Sequence, residues 1–113
     1  MGPARRWTLE AAQQMLPDVR DRTERAVREA ESLMAERDGL AVGSPEGRVV
    51  EERIQQVVQR WVGEMEALGL DVKGPWLVDF DSGSGCYCWQ WPEERLEYFH
   101  GYDEGFAGRT RIQ

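Results

Sequence analysis

The sequence lacks any apolar run that approaches the length of a membrane span. A transmembrane helix needs about 20 consecutive apolar residues, so we expect no membrane partner. The first ten residues contain an arginine pair but not the apolar segment of a secretory signal. Cysteine is also scarce, because Cys86 and Cys88 are the only two and lie too close along one strand to form an unstrained disulfide. We therefore expect a cytoplasmic protein with reduced thiols.

Positive charge is in the minority. Lysine and arginine total 14 against 21 aspartates and glutamates, which gives a net charge of −7 at pH 7. A chain of this charge is repelled by a phosphate backbone. The arginines near the N-terminus also alternate with acids at i,i+4 spacing, which is typical of a solvated helix face. We expect no nucleic-acid partner.

Length and patterning predict one domain over 1–113, beginning with a helical hairpin at about 8–69. Thr8 is a suitable N-cap for the first long helix, and Gly39 is a suitable C-cap. Pro17 interrupts this helix but leaves the phase of its apolar seam unchanged, which predicts a kink or two nearly collinear helices. The seam has the heptad spacing of a coiled coil and comprises Leu9, Ala12, Leu16, Val19, Thr23, Ala26, Ala30 and Leu33.

The second long helix is predicted from about Pro45 to Leu68. Ser44 is a favourable N-cap, and proline suits the first helical position. Two adjacent apolar rows give this helix a wide face that can contact both a helix and a sheet. The rows are Val50, Ile54, Val57, Trp61 and Leu68, and beside them Val58, Val62 and Met65.

After Gly74 the pattern changes to short runs that are typical of strands. "WLVDF", "CYCWQW" and "LEYFH" are separated by the turns "DSGSG" and "PEER". They predict a three-stranded antiparallel meander at about 75–100, followed by a glycine-rich tail at 101–113. Three strands need a covering layer, which the helices can provide, so the predicted fold class is α+β.

Four short motifs carry a resemblance to a known family. They are "LVDF" (77–80), "CW" (88–89), "YFH" (98–100) and "DEGFAGR" (103–109). With them, the chain resembles a bacterial family of uncharacterised proteins, domain of unknown function 2203. Pro92 stands where family members carry a glycine, and Glu93 keeps the acid that follows it. The resemblance implies a fold and a set of motifs, but no activity.

A polar group near the C-terminus is the candidate ligand site. Its members are Asp79, Glu93, His100 and Arg109. Buried charges must pair, so Arg109 with Asp79 or Glu93 would make a structural latch for the tail. The same arginine and histidine could instead bind an anion or a small molecule. No catalytic residue can be assigned, so the sequence leaves open whether this is an enzyme and favours a protein that is not one; we expect no cofactor.

Metal binding is an alternative for Cys88 and His100. Structural zinc takes four ligands, whereas two cysteines and one histidine offer at most three soft donors. An acid such as Asp103 or Glu104 would have to complete the set. We expect no metal, because a buried cysteine usually behaves as a small apolar residue. A cysteine nucleophile activated by His100 is a further alternative without a supporting motif.

These patterns leave the function unknown and favour a small interaction or structural module that acts as a homo-oligomer. The small residues Thr23, Ala26 and Ala30 would allow a partner helix to approach closely, and a two-fold homodimer is the commonest solution. The alternatives are a small-molecule or anion-binding protein, or a small enzyme, with a site around His100 and Arg109, or a Cys/His metal site.

Overall fold

The computed structural model describes residues 5–112. Residues 1–4 and Gln113, which the predicted domain and tail include, lie outside the described residues. Within 5–112 the elements are α1 (Leu9–Asp38), α2 (Pro45–Ala67), β1 (Asp71–Gly74), β2 (Leu77–Asp81), β3 (Cys86–Gln90), β4 (Tyr98–His100), a 3₁₀ turn (Phe106–Gly108) and β5 (Thr110–Arg111). The α+β class and the helical hairpin are confirmed. Neither helix in this range combines the length and apolarity needed to cross a bilayer.

Both helices begin at the residues that the sequence predicts. The Thr8 and Ser44 hydroxyl oxygens accept hydrogen bonds from backbone N–H groups of the first turns of α1 and α2. Pro17 lies inside one continuous helix, so the alternative of two helices is wrong. Gly69, at φ 90°, follows the end of α2 and allows Leu70 to return a backbone hydrogen bond to Met65.

The small-residue seam of α1 is filled by α2 of the same chain. Thr23 and Ala30 are buried, and the Trp61 indole N–H donates to the Thr23 hydroxyl oxygen at 2.8 Å. That hydroxyl in turn donates to the Val19 carbonyl oxygen at 2.7 Å. The close helix approach that the seam predicts therefore takes place between α1 and α2 of one chain. The seam gives no support for a homodimer.

The prediction of three strands is wrong, because the sheet of the described residues has five, in the antiparallel order β1-β2-β3-β4-β5. The predicted strands correspond to β2, β3 and a shortened β4. Trp76 is not part of β2, since it adopts φ 59° in the turn after β1. The tail turns back after Gly108 and adds β5 to the edge, where Thr110 pairs with Phe99.

The two faces of the sheet have different surroundings. Val78, Phe80 and Trp89 point to the helices and form the main core with Trp7 and Trp61. By alternation, the residues between them face away from the helices. The side chains with acid–base and metal-binding chemistry are therefore on the face that the hairpin does not cover.

Candidate functional site

Three neighbouring strands bring one carboxylate, one thiol and one imidazole together. Asp79 on β2 lies opposite Cys88 on β3, and His100 on β4 lies opposite Cys86. One carboxylate oxygen, the Cys88 Sγ and one imidazole nitrogen all lie within 4.8 Å of one another. All three side chains are buried, with exposed fractions of 1%, 1% and 5% for Asp79, Cys88 and His100.

The imidazole of His100 is held at both nitrogens. Its Nδ1 lies 2.8 Å from the Gly101 carbonyl oxygen, and its Nε2 lies 2.9 Å from Asp79 Oδ2. A carbonyl oxygen can only accept, so Nδ1 must carry a proton and donate it to Gly101. The Nε2 atom is therefore directed toward Asp79, either as a donor in the imidazolium or as a lone pair in the neutral ring.

The pKa of His100 reflects these contacts. Burial acts to lower it, but the hydrogen bond with Gly101, followed by the hydrogen bond and charge of Asp79, outweighs burial. The pKa of His100 therefore lies above its ordinary value. Without any further ligand, these contacts favour the imidazolium form of His100.

The second carboxylate oxygen of Asp79 has no such contact. Asp79 Oδ1 is buried and accepts no well-formed hydrogen bond among residues 5–112, although the Cys88 thiol lies beside the Asp79 carboxylate and interacts with it. A buried acceptor left unpaired costs about 1–3 kcal/mol, and more when it carries charge. Such an atom calls for an explanation, and an ion is one of the usual ones.

Both thiols are protonated at neutral pH. Burial, followed by the charge of Asp79, raises the pKa of Cys88 to about 12. The same two causes raise the pKa of Cys86 to about 11. Thiols of this kind are inert as nucleophiles, whereas a bound metal ion can displace the proton directly.

A cleft of about 330 Å³ adjoins these three residues on the open face of the sheet. Its lining comprises Asp71, Lys73, Leu77, Asp79, Cys86, Cys88, His100, Tyr102, Gly105 and Phe106. The tail forms one side of this cleft through Tyr102, Gly105 and Phe106. The Tyr102 hydroxyl donates to Asp81 Oδ1 at 2.7 Å and so connects the tail to β2. The three buried donor groups are thus next to a solvent-accessible space.

The four predicted site residues form two separate pairs. Asp79 contacts His100, whereas Glu93 contacts Arg109 through two oxygen–nitrogen pairs at 2.7 and 3.1 Å. The Arg109 guanidinium also lies 4.0 Å from the Tyr98 ring centroid and 4.2 Å from that of Phe106. This is the geometry of the structural latch, with Glu93 as the acid.

Arg109 is not among the residues that line the cleft, but its guanidinium lies close enough to the Cys88 thiol to interact with it. Asp103 and Glu104, the acids considered for a metal set, are exposed and outside the group of three. Glu104 instead accepts a hydrogen bond from the Gly101 backbone N–H at 2.8 Å. The acid beside Cys88 and His100 is Asp79, which the cross-strand register brings there.

A larger groove, of about 890 Å³, lies between α1 and residues 94–97. Its lining mixes charged residues with apolar ones, and among the described residues it contains no cysteine or histidine. Volume alone therefore does not identify the site, and the buried donor groups of the smaller cleft offer the more specific chemistry.

Comparison with known proteins gives one family and no individual relative. No curated protein and no solved structure matches the chain significantly. The sequence pattern of one family, described as "Uncharacterized conserved protein (DUF2203)", matches residues 5–112. That range contains both helices, all the described strands and every residue of the cleft. The chain therefore belongs to the DUF2203 family of uncharacterised conserved proteins.

Proposed function

We propose that this protein binds a divalent transition-metal ion of the zinc class through Asp79, Cys88 and His100. The observation that carries the proposal is the buried Asp79 Oδ1 atom, which has no hydrogen-bond partner among the described residues. It belongs to a group of three donors within 4.8 Å of one another. A cation would pair this oxygen and replace the buried proton of the thiol.

The donor types indicate the metal. Thiolate and imidazole suit zinc and other borderline or soft ions, whereas magnesium and calcium take oxygen ligands. Zinc also accepts one carboxylate beside them. The Gly101 carbonyl holds the Nδ1 proton of His100 and leaves Nε2 for the metal, which is the usual arrangement around a metal-binding histidine.

A cysteine–histidine–aspartate triad would use the same residue types but needs a different geometry. The histidine of a triad contacts the nucleophile through one nitrogen and the acid through the other. In this protein Nδ1 contacts Gly101 and Nε2 contacts Asp79, so neither nitrogen is left for Cys88. The pKa of Cys88, raised to about 12, also disfavours a thiolate without a metal.

Calorimetric titration of chelator-treated, reduced protein with Zn²⁺ tests the proposal. We expect one ion per chain, and we expect Cys88→Ala to weaken binding by about a hundredfold or more. Cys86→Ala is the matched control, because Cys86 is a buried thiol on the same strand outside the group of three. Equal loss in both variants, or no binding by the parent protein, would contradict the proposal.

A homo-oligomeric interaction module is a second proposal, and it concerns a different part of the molecule. The far end of the hairpin exposes Met34, Val42 and Val49, which supports a contact there. Light scattering at tens of micromolar should give twice the chain mass of 13.0 kDa, and Val49→Glu should reduce it. A parent mass near 13.0 kDa would contradict the homodimer.

A further inference from the structure

We infer that the metal ion has an open fourth position toward the cleft and that this position accepts the carboxylate of a small monoanion with an apolar body. This inference rests on the proposed metal site. A structural zinc ion has four protein ligands and binds nothing else. The inference therefore goes beyond metal binding, because it assigns a class of external ligand to the site.

Among the histidine, cysteine, aspartate and glutamate side chains of the described residues, three donors meet here and no fourth joins them. Cys86 and Asp71 line the same cleft, but neither belongs to the group of side chains whose donor atoms lie within 4.8 Å of one another. A tetrahedral ion held by Asp79, Cys88 and His100 therefore retains one position for a water or another small ligand. Three protein ligands and one open position are typical of zinc sites that bind substrates.

The cleft has room for more than water. Its volume of about 330 Å³ compares with roughly 30 Å³ for one liquid water molecule. The half-buried Leu77 and the ring of Phe106 provide apolar surface along its walls. A ligand that only coordinated the ion would leave this surface uncovered, whereas one with a ring or alkyl body would contact it.

The Lys73 ammonium favours an anion, and the net charge of the site limits it to a monoanion. A divalent ion with the Asp79 carboxylate and the Cys88 thiolate has no net charge, and Asp71 and Lys73 also sum to zero in the lining of the cleft. Lys73 is the only lysine of the sequence. Its ammonium offers an incoming carboxylate a second positive partner beside the metal. Because the site has no net charge before the ligand binds, a monoanion adds one negative charge and a dianion adds two, so the dianion is the less favourable ligand.

Visible spectroscopy of the Co²⁺-substituted protein tests the inference, since the d–d bands of cobalt respond to its ligands. Titration with benzoate should shift these bands and reach saturation. Acetate should bind about tenfold more weakly, because it lacks the ring that contacts Leu77 and Phe106. Lys73→Gln should weaken benzoate binding by about fivefold without changing the bands of the benzoate-free protein.

Arg48→Gln, an exposed change on α2 outside the cleft, is the matched control and should leave benzoate binding unaltered. A cobalt spectrum that neither benzoate nor acetate changes would overturn the inference and leave the metal site intact as a closed one. Equal binding of acetate and benzoate, or no effect of Lys73→Gln, would overturn the assigned ligand class. Failure of Co²⁺ and Zn²⁺ to bind at all would instead overturn the proposed function beneath it.

Discussion

Asp79 has a position that costs stability in the metal-free protein and suits the proposed metal site. It lies at the centre of a strand with buried neighbours on both sides, Val78 and Phe80. One carboxylate oxygen contacts His100, and the other has no partner among the described residues. A metal ion would remove this cost, because it would pair both the charge and the free oxygen.

The His100–Asp79 pair predicts how the metal-free protein responds to pH. The pKa of His100 is raised in the folded state, so its contribution to stability is fully present below the pKa of the unfolded chain, about 6.5. That contribution is lost as the pH rises through the folded-state pKa. Urea denaturation in the presence of a chelator should therefore show the free-energy difference between the parent and His100→Gln shrinking as the pH rises above about 6.5. A difference that grows with pH would contradict this assignment.

At the scale of elements, the helices were predictable and the sheet only in part. α1 and α2 have local signals, namely their caps, Pro45 and an apolar period, and these fix both ends of each helix. β1 and β5 are four and two residues long, too short for a periodic pattern. Each forms by pairing with an outer strand of the sheet, so its formation depends on tertiary contacts and not on its own sequence.

The candidate metal site was also predictable only in part, because it depends on contacts between distant parts of the sequence. Asp79, Cys88 and His100 were each recognisable as unusual residues, but only the register between β2, β3 and β4 makes them neighbours. An acid within a strand of otherwise apolar residues, facing the same side as a cysteine, was the available signal. The hydrogen bond between Trp61 and Thr23 had no signal at all, because Thr23 fitted the seam simply as a small residue.

The contact between the two helices gives a prediction for Thr23. Thr23→Val keeps the shape but removes the acceptor of the Trp61 indole N–H, so we expect a loss of about 1–3 kcal/mol of unfolding free energy. Thr23→Ser is the matched control, because it retains the hydroxyl. Chemical denaturation with tryptophan fluorescence measures both variants. Equal losses would show that the methyl group, and not the hydrogen bond, is responsible.

The latch between the tail and the sheet gives a second prediction. Arg109→Ala leaves the mostly buried Glu93 carboxylate with only the Gln90 backbone N–H as a hydrogen-bond donor and removes the cation from two aromatic rings. We expect thermal denaturation to show a loss of about 1–3 kcal/mol in metal-free buffer. Arg111→Ala, at an exposed ion pair with Glu97, should cost less than about 1 kcal/mol. An Arg109→Ala protein as stable as the parent would exclude the latch.

At the scale of the whole molecule, the proposed metal site and the hairpin end are separate. The molecule is 48 Å long, close to the length of a 30-residue helix, so the hairpin sets its long axis. The main core joins the sheet to the beginning of α1 and the end of α2. The metal site lies on the far face of that sheet, so metal binding and oligomerisation can be tested independently.

Metal binding should stabilise the whole fold, since the three donors are distant in sequence and meet only when the sheet is formed. At a free Zn²⁺ concentration one hundred times the dissociation constant, the gain is about 2.7 kcal/mol. Thermal denaturation should show this gain in the parent and in Cys86→Ala but not in Cys88→Ala. A zinc-induced rise that persists in Cys88→Ala would place the ion elsewhere.

X-ray absorption at the zinc edge of the loaded, reduced protein identifies the atoms bound to the ion, so it examines the proposed ligand set without relying on a variant. We expect one sulfur at about 2.3 Å and nitrogen or oxygen ligands at about 2.0–2.2 Å. The sulfur signal should persist in Cys86→Ala. A first shell without sulfur, or one with two sulfurs, would contradict the site of Asp79, Cys88 and His100.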